Sequence, residues 1–531
     1  MSYQILVTEH LPESGLNILK QANDISLFGP VHNRAELLAS VRDADAIIVR
    51  SKTIVDRELL EAGTKLKIVA RAGAQYENID VEEASRRGVM VMNAPEANVY
   101  AIVEYVFGMI LALGRKLPLG VQSLRDGKWL RHEIVGFQLY GKTLGVVGYG
   151  RLGYEISIRA RVFGIHVLVY DPYVDLSEIR EPGIEIVGFS ELLERSDILT
   201  LQTSISPSTI GLMNEEAFAK IKKGAYLINC VHAELVDEAA LLKGLDEGSL
   251  SGAALDTFAK EPPQPNSPLI HHPKVLASPH LNQNTIESQN ETGLQVATHV
   301  INALKGEDYI NIVNLPFSAS VPYKINKAYI HLANRIGKLL GQTAESPISR
   351  VEIELLGDEL EPLMHVAAAN LLDGMCCLPT DPHYNWVSAP ILSYEKGLKT
   401  AQLKNILDLP EYPNLMICKV VCENGLSQVA AGIIRSNEEA NIVHYDGYNV
   451  NTIPEGNVLV LENEDIPGVI GKVGTSLGEA KINIVNWSYG REIIGGRAAS
   501  FISIDGVPPK EVLENLEKEA EIYRAKWVKF D

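Results

Sequence analysis

The chain has 531 residues, 46% of them hydrophobic, enough at about 150 residues per domain for three or four domains with ordinary buried cores. Its formal charge of −19 is spread along the chain rather than gathered in a tail, which disfavours nucleic acid and anionic membrane as partners. No charged-then-apolar leader follows Met1, and the stretch from Val103 to Leu113 is too short and interrupted to cross a bilayer, so a soluble cytoplasmic protein is expected. The five cysteines, Cys230, Cys376, Cys377, Cys418 and Cys422, show neither CxxC pairs nor a disulfide framework and read as reduced packing residues, with no metal site.

Nearly a hundred residues of βα pattern come first, with apolar strands predicted at Ile5–Val7, Ala46–Arg50, Leu66–Ala70 and Val89–Met92. An apolar helix follows from Asn98 to about Arg115, its broad surface suited either to a partner subunit or to an interdomain core. Next comes a strand, Thr143–Val147, then the loop Gly148-Tyr149-Gly150-Arg151-Leu152-Gly153, a helix, the strand His166–Tyr170 and Asp171. This is a dinucleotide fingerprint in its proper setting. The first glycine permits a tight turn, the second admits a pyrophosphate to the backbone, and the third lets helix pack on strand. Asp171 can bind both ribose hydroxyls while repelling a 2′-phosphate, so the reading is NAD rather than NADP. Further strands at Ile198–Leu201, Ala225–Asn229, Ala253–Leu255 and Val275–Ala277 complete a doubly wound sheet by about residue 280. A helix from near Thr285 to Leu304 and an exit linker from Asn311 to Leu315 follow.

Beyond Pro316 the character changes. Val351–Leu355, Met416–Val421 and Gln428–Ile434 suggest an α+β module without a catalytic constellation. The last unit has a strand Asn457–Leu461, a turn at Asp465–Gly468 and a helix through Leu477. Then come Ile482–Val485, turns at Gly490-Arg491 and Gly495-Gly496, a strand Ala499–Ile504 and a helix from Pro509. That is a βαββαβ outline of about 75 residues.

Four segments together resemble the D-2-hydroxyacid dehydrogenases, specifically the long-form D-3-phosphoglycerate dehydrogenases: Gly148 to Asp171, Ile228 to Leu241, Leu255 to Pro262, and Ser278-Pro279-His280-Leu281. The resemblance covers essentially the whole chain. It implies an α/β fold in which a Rossmann-type NAD domain, 98–285, is inserted into a flavodoxin-like substrate domain, 1–97 and 286–314. An α+β intervening domain at 315–454 and a ferredoxin-like ACT regulatory domain at 455–531 follow. The implied cofactor is NAD, with Asp256 added to the glycine loop and Asp171 among its contacts; the implied partners are a small anionic 2-hydroxy or 2-oxo acid, serine as effector, and further copies of the chain in a homodimer or homotetramer. His280 falls at the family's acid–base position and Glu261, nineteen residues earlier, at that of its carboxylate partner. Arg50, Arg71 and Arg131 stand where the phosphate of phosphoglycerate is held.

The family's third catalytic member, an arginine, is replaced by His232. An arginine fork stays charged and grips two oxygens, whereas a neutral imidazole has one donor. Losing such a contact costs about 2–4 kcal/mol in the transition state. Other departures surround the carboxylate end of the pocket: Ala74-Gln75-Tyr76-Glu77, Gln202-Thr203-Ser204 and Asn282-Gln283-Asn284. Three readings stay open. The first is a phosphoglycerate dehydrogenase, the first enzyme of serine biosynthesis, in which His232 stands in for the arginine. The second is a dehydrogenase retargeted to another 2-hydroxy or 2-oxo acid through Gln75, Tyr76, His232 and Asn282. The third is a catalytically silent NAD-binding and amino-acid-sensing subunit. Random decay would also erode Gly148, Gly150, Gly153, Asp171, Glu261 and His280, and all six are present. In the terminal unit Asn463, Asp465 and Asn483 lie at the family's effector contacts; the same turns also suit a plain dimerisation sheet.

Overall fold

Strands that are apolar on both faces must be covered on both sides, so short apolar runs alternating with helices build parallel sheets. The structure, a computed structural model, describes residues 2–174, 181–315, 322–375, 383–436 and 438–530. Cys376, Cys377 and the Pro316 junction lie outside the described residues. The chain forms two compact units, one of residues 1–94 and 294–531 and the other of 95–293.

The first unit opens with five parallel strands in the order Ile25–Phe28, Tyr3–Val7, Ala46–Val49, Ile68–Arg71, Met90–Met92. This is the 2-1-3-4-5 flavodoxin-like arrangement. Side chains of Asn33, Asp56 and Asp80 cap its helices by accepting from the backbone of Glu36, Leu59 and Glu83. The segment expected as an exit linker is tied to the sheet edge instead. Val313 N donates to Val91 O at 2.7 Å, and Val91 N donates to Asn314 Oδ1 at 2.9 Å.

The second unit carries seven parallel strands in the order Val275–Ala277, Leu250–Leu255, Ala225–Asn229, Ile198–Leu201, Thr143–Val147, His166–Tyr170, Ile184–Ile186. Counted from Thr143 this is the doubly wound 3-2-1-4-5-6 order with a seventh strand added. The helix Val99–Gly114 was expected against a partner or another domain. Its Val103, Val106 and Ile110 instead pack with Leu144, Val146 and Ile156 in this unit's own core. The exposed apolar residues come after it: Trp129 and Tyr140 are each 75% exposed and Val135 69%.

The rest of the first unit is two modules. One has a six-stranded sheet, Lys399–Gln402, Ile348–Leu356, Leu415–Cys422, Ser427–Ile434, Ala440–Tyr445, Tyr448–Thr452, in which only the first pair is parallel. Its helices Tyr323–Thr343 and Met364–Met375 approach backbone to backbone, since a β-carbon on Gly337 would lie 2.2 Å from Leu371 O. The other is a βαββαβ unit with antiparallel order Ile484–Arg491, Arg497–Ile504, Asn457–Glu464, Ile522–Lys529. The expected turn at Gly490-Arg491 is not one. Both residues end a strand, where a side chain on Gly490 would meet Asn449 O at 2.5 Å, and the reversal falls at Gly495, φ 76°. The two modules share a core: Phe501, Val528 and Phe530 cluster with Leu332, Ile336 and Leu340. Among the described residues no helix is long and apolar enough to cross a membrane, and Cys230, Cys418 and Cys422 are free and buried.

Asp373 sits between the two long helices, accepting from Asn334 Nδ2 at 2.8 Å, and burial pushes its carboxyl up to about 6. The folded state therefore holds this proton more tightly than the unfolded chain does. Its contribution to stability is full below about pH 4 and is lost as pH rises through 6. Asp373→Asn is expected to gain melting temperature relative to the parent at pH 8 and to lose that advantage at pH 4, measured by thermal unfolding at both pH values.

Candidate active site

The glycine loop is built by close approach. At Gly148, φ 94°, a β-carbon would lie 2.7 Å from Gln202 O; at Gly153 it would lie 2.0 Å from Gly148 O. Gly150 has open space around it and caps the twelve-residue helix Arg151–Val162. That helix presents unpaired N–H groups to a phosphate. Arg151 ion-pairs with Glu96, Leu152 packs on the core beneath, and Asp171 accepts from Tyr149 N at 2.8 Å and Tyr173 N at 3.0 Å. Gln202 Oε1, Thr257 Oγ1 and Asn282 Oδ1, all buried near the carboxyl ends of the parallel strands, have no hydrogen-bond partner among the described residues. Open space at Gly150, a helix N-terminus and unspent polar atoms at the strand ends fit a dinucleotide.

His280 and Glu261 come together at these strand ends. Nδ1 of His280 lies 2.8 Å from Glu261 Oε2, while Glu261 Oε1 accepts from Phe258 N at 3.1 Å. A carboxylate only accepts, so Nδ1 carries the proton and Nε2 is left as the acceptor. The imidazole is one-third exposed, open to a substrate. His232 lies in the loop after the strand Ala225–Asn229; its carbonyl accepts from Asn229 Nδ2 at 2.7 Å, and Cys230 O accepts from Asn282 Nδ2. The loop of His232 is thereby joined to the loop of His280. Asp256, expected at the cofactor, is fully buried, and its carboxylate is taken up by groups of its own unit. Arg131 is exposed in the turn after the helix Leu117–Arg125.

In the first unit Arg50 and Arg71 share one network. Arg71 is 8% exposed, with Nε donating to Asn78 Oδ1 at 2.9 Å and Nη2 pairing with Glu77 at 3.2 Å; Asn78 Nδ2 donates to Arg50 O at 2.8 Å. Burial lowers the Arg71 guanidinium from its usual range, opposed by Glu77 and Glu9. Gln75 is half-buried and Tyr76 is 41% exposed on the same loop. Glu77 belongs to the loop that the sequence singled out, but its pairing with Arg71 and the part played by Asn78 escaped the sequence reading.

In the terminal unit Asp465 accepts from Tyr489 Oη at 3.0 Å, Arg491 Nη1 at 3.2 Å and Gly495 N at 3.2 Å, and Asn463 Oδ1 accepts from Ser500 Oγ at 3.2 Å. Asn463 and Asp465 lie together. Asn483 sits at the opposite end of the strand Ile484–Arg491, donating to Asp505 at 3.0 Å.

Comparison with known proteins gives the family of the chain. Residues 107–282 match the family model of the D-isomer specific 2-hydroxyacid dehydrogenase NAD binding domain, and 326–446 match the D-3-phosphoglycerate dehydrogenase intervening domain. The D-3-phosphoglycerate dehydrogenase of Bacillus subtilis is 36% identical over 526 residues, covering 99% of each chain. That of Methanocaldococcus jannaschii is 34% identical over 516 residues, covering 97% of each. Among solved structures, a glyoxylate reductase from Paecilomyes thermophila superposes with a TM-score of 0.54 at 28% identity, over 59% of this chain and 98% of that one. The chain belongs to the D-3-phosphoglycerate dehydrogenase family of D-2-hydroxyacid dehydrogenases and is an NAD-dependent oxidoreductase acting on a CH–OH group.

Proposed function

We propose that the chain interconverts 3-phosphoglycerate and 3-phosphohydroxypyruvate, the entry step of serine biosynthesis. The observation that carries this reading is the His280–Glu261 pair at 2.8 Å in a chain aligned end to end with phosphoglycerate dehydrogenases. Bound NAD supplies the acceptor for the hydride of the substrate's CH–OH carbon. The glycine loop and the N-terminus of Arg151–Val162 hold its pyrophosphate and Asp171 its ribose. His280 Nε2 takes the hydroxyl proton, while Glu261 fixes the tautomer and stabilises the imidazolium that forms. His232 donates to the substrate carboxylate in place of an arginine, and Gln75 and Tyr76 line the carboxylate end. By the family resemblance, Arg50 and Arg71 of the first unit and Arg131 of the second fall at phosphate-binding positions.

One observation favours a second reading. Glu77 already sits on Arg71, so part of the phosphate-side charge is neutralised before substrate arrives. A less highly charged 2-hydroxy acid would suffer less from this. The test is NADH absorbance with purified protein on 3-phosphoglycerate in one direction, and on 3-phosphohydroxypyruvate and 2-oxoglutarate in the other. Saturable turnover on the phosphorylated pair supports the first reading. NADH binding without it moves the assignment to another acid or to a silent, regulatory NAD-binding role. Restoring the fork with His232→Arg is expected to raise kcat/KM on 3-phosphoglycerate by about tenfold or more; a fall would favour the retargeted site.

The exposed Trp129, Val135 and Tyr140 belong in this proposal to a surface covered by a second copy of the chain, giving a homodimer or homotetramer. The terminal unit is proposed as an ACT domain that binds serine near Asn463 and Asp465, with Asn483 supplied at a subunit contact. Serine is expected to raise the melting temperature and to slow turnover. If it does neither at millimolar concentration, the sensing role is dropped and the unit is a dimerisation sheet.

A further inference from the structure

Asp256 is 0% exposed, directly after the strand Leu250–Leu255. Its Oδ1 accepts from Ser278 Oγ at 2.7 Å, Leu281 N at 2.9 Å and Tyr105 Oη at 3.1 Å; its Oδ2 accepts from Asn282 N at 2.9 Å. Its backbone carbonyl accepts from His280 N at 3.0 Å. His280 itself has φ 53°, a left-handed conformation that a side chain other than glycine's keeps only where its surroundings hold it. Five of the bonds that hold this turn and its neighbours converge on Asp256.

Three of these carboxylate contacts come from the loop 278–282 itself. Tyr105 is different, because it stands on the helix Val99–Gly114, whose apolar face is embedded in the core of the unit. Its phenol adds a tie to this rigid helix beside those that the loop makes to Leu255 O through Ser278 N, at 3.0 Å, and to Cys230 O through Asn282 Nδ2. We propose that Tyr105 is a positioning residue for His280: acting through Asp256, it fixes the loop 278–282, and with it the direction of Nε2 and the distance from Nδ1 to Glu261. The inference rests on the acid–base reading of His280. Burial, with Asp256 beside it, pushes the Tyr105 phenol up to about 12, so the hydroxyl remains a donor across the neutral range. The Cys230 thiol, which also acts on the phenol, is pushed up by burial and stays protonated. A packing role would need only the ring; a positioning role needs the hydroxyl.

Tyr105→Phe in the full-length chain separates the two. On the substrate that the parent turns over, kcat is expected to fall about tenfold. KM for NAD and the NADH affinity by fluorescence titration should stay within about twofold, and the pH profile of kcat/KM should move as the Glu261–His280 geometry relaxes. A second readout needs no substrate. Diethyl pyrocarbonate should modify His280 several-fold faster in the variant, while the exposed His132 and His166 keep their parental rates by mass spectrometry. Unchanged kcat, pH profile and His280 labelling would overturn the proposal. If Tyr105→Phe raises labelling at every histidine and lowers the melting temperature, Ser278→Ala, which removes another donor from the same oxygen, decides: a change confined to His280 supports the proposal and no change overturns it. Should the parent fail to turn over 3-phosphoglycerate, that result counts against the substrate assignment, and the labelling still decides the role of Tyr105.

Discussion

A carboxylate sealed from water must collect its hydrogen bonds from the protein, and Asp256 does so by drawing a whole loop onto itself. Leaving one of its donors out would strand charge in the interior, so the backbone of 281–282, the hydroxyl of Ser278 and the phenol of Tyr105 are committed together. The left-handed turn at His280 is the geometric by-product, and it leaves the imidazole pointing back to Glu261 with one nitrogen free. The loop carrying His232 is drawn in by the same logic, through the bond from Asn282 to the carbonyl of Cys230.

The glycine loop and the parallel strands were legible because their physics is local. A run such as Ile198–Leu201 or Ala225–Asn229 is apolar on both faces, and the strand bounds follow from composition alone. The half-exposed edge strands Ile25–Phe28 and Ile184–Ile186 carry no such run and were passed over. Gly490 was misread as a turn because a glycine demanded by a neighbouring backbone looks, in sequence, like a glycine demanded by a reversal. The pair His280–Glu261 was legible only through resemblance. The bond from Tyr105 to Asp256 spans 151 positions, and nothing in either residue's neighbourhood announces it.

The two units differ in how their polar groups are committed. In the second unit Glu261 holds His280 Nδ1 and itself accepts from Phe258 N, so the geometry of the pair is set before any ligand binds. In the first unit Arg71 is buried but engaged by Glu77 and Asn78, so an anion reaching it has to displace or tolerate a carboxylate already there. Such a site trades raw affinity for discrimination between anions of different charge.

The hydrophobic core common to the last two modules has a consequence of another kind. Phe501, Val528 and Phe530 lie among the buried residues of the helix Tyr323–Thr343, and Lys338 Nζ reaches the carbonyl of Phe530 at 2.7 Å. A βαββαβ module is often pictured as a bead that evolution can thread onto any chain. Here, splitting the pair would expose an apolar seam on both pieces, so each module depends on the other for its cover.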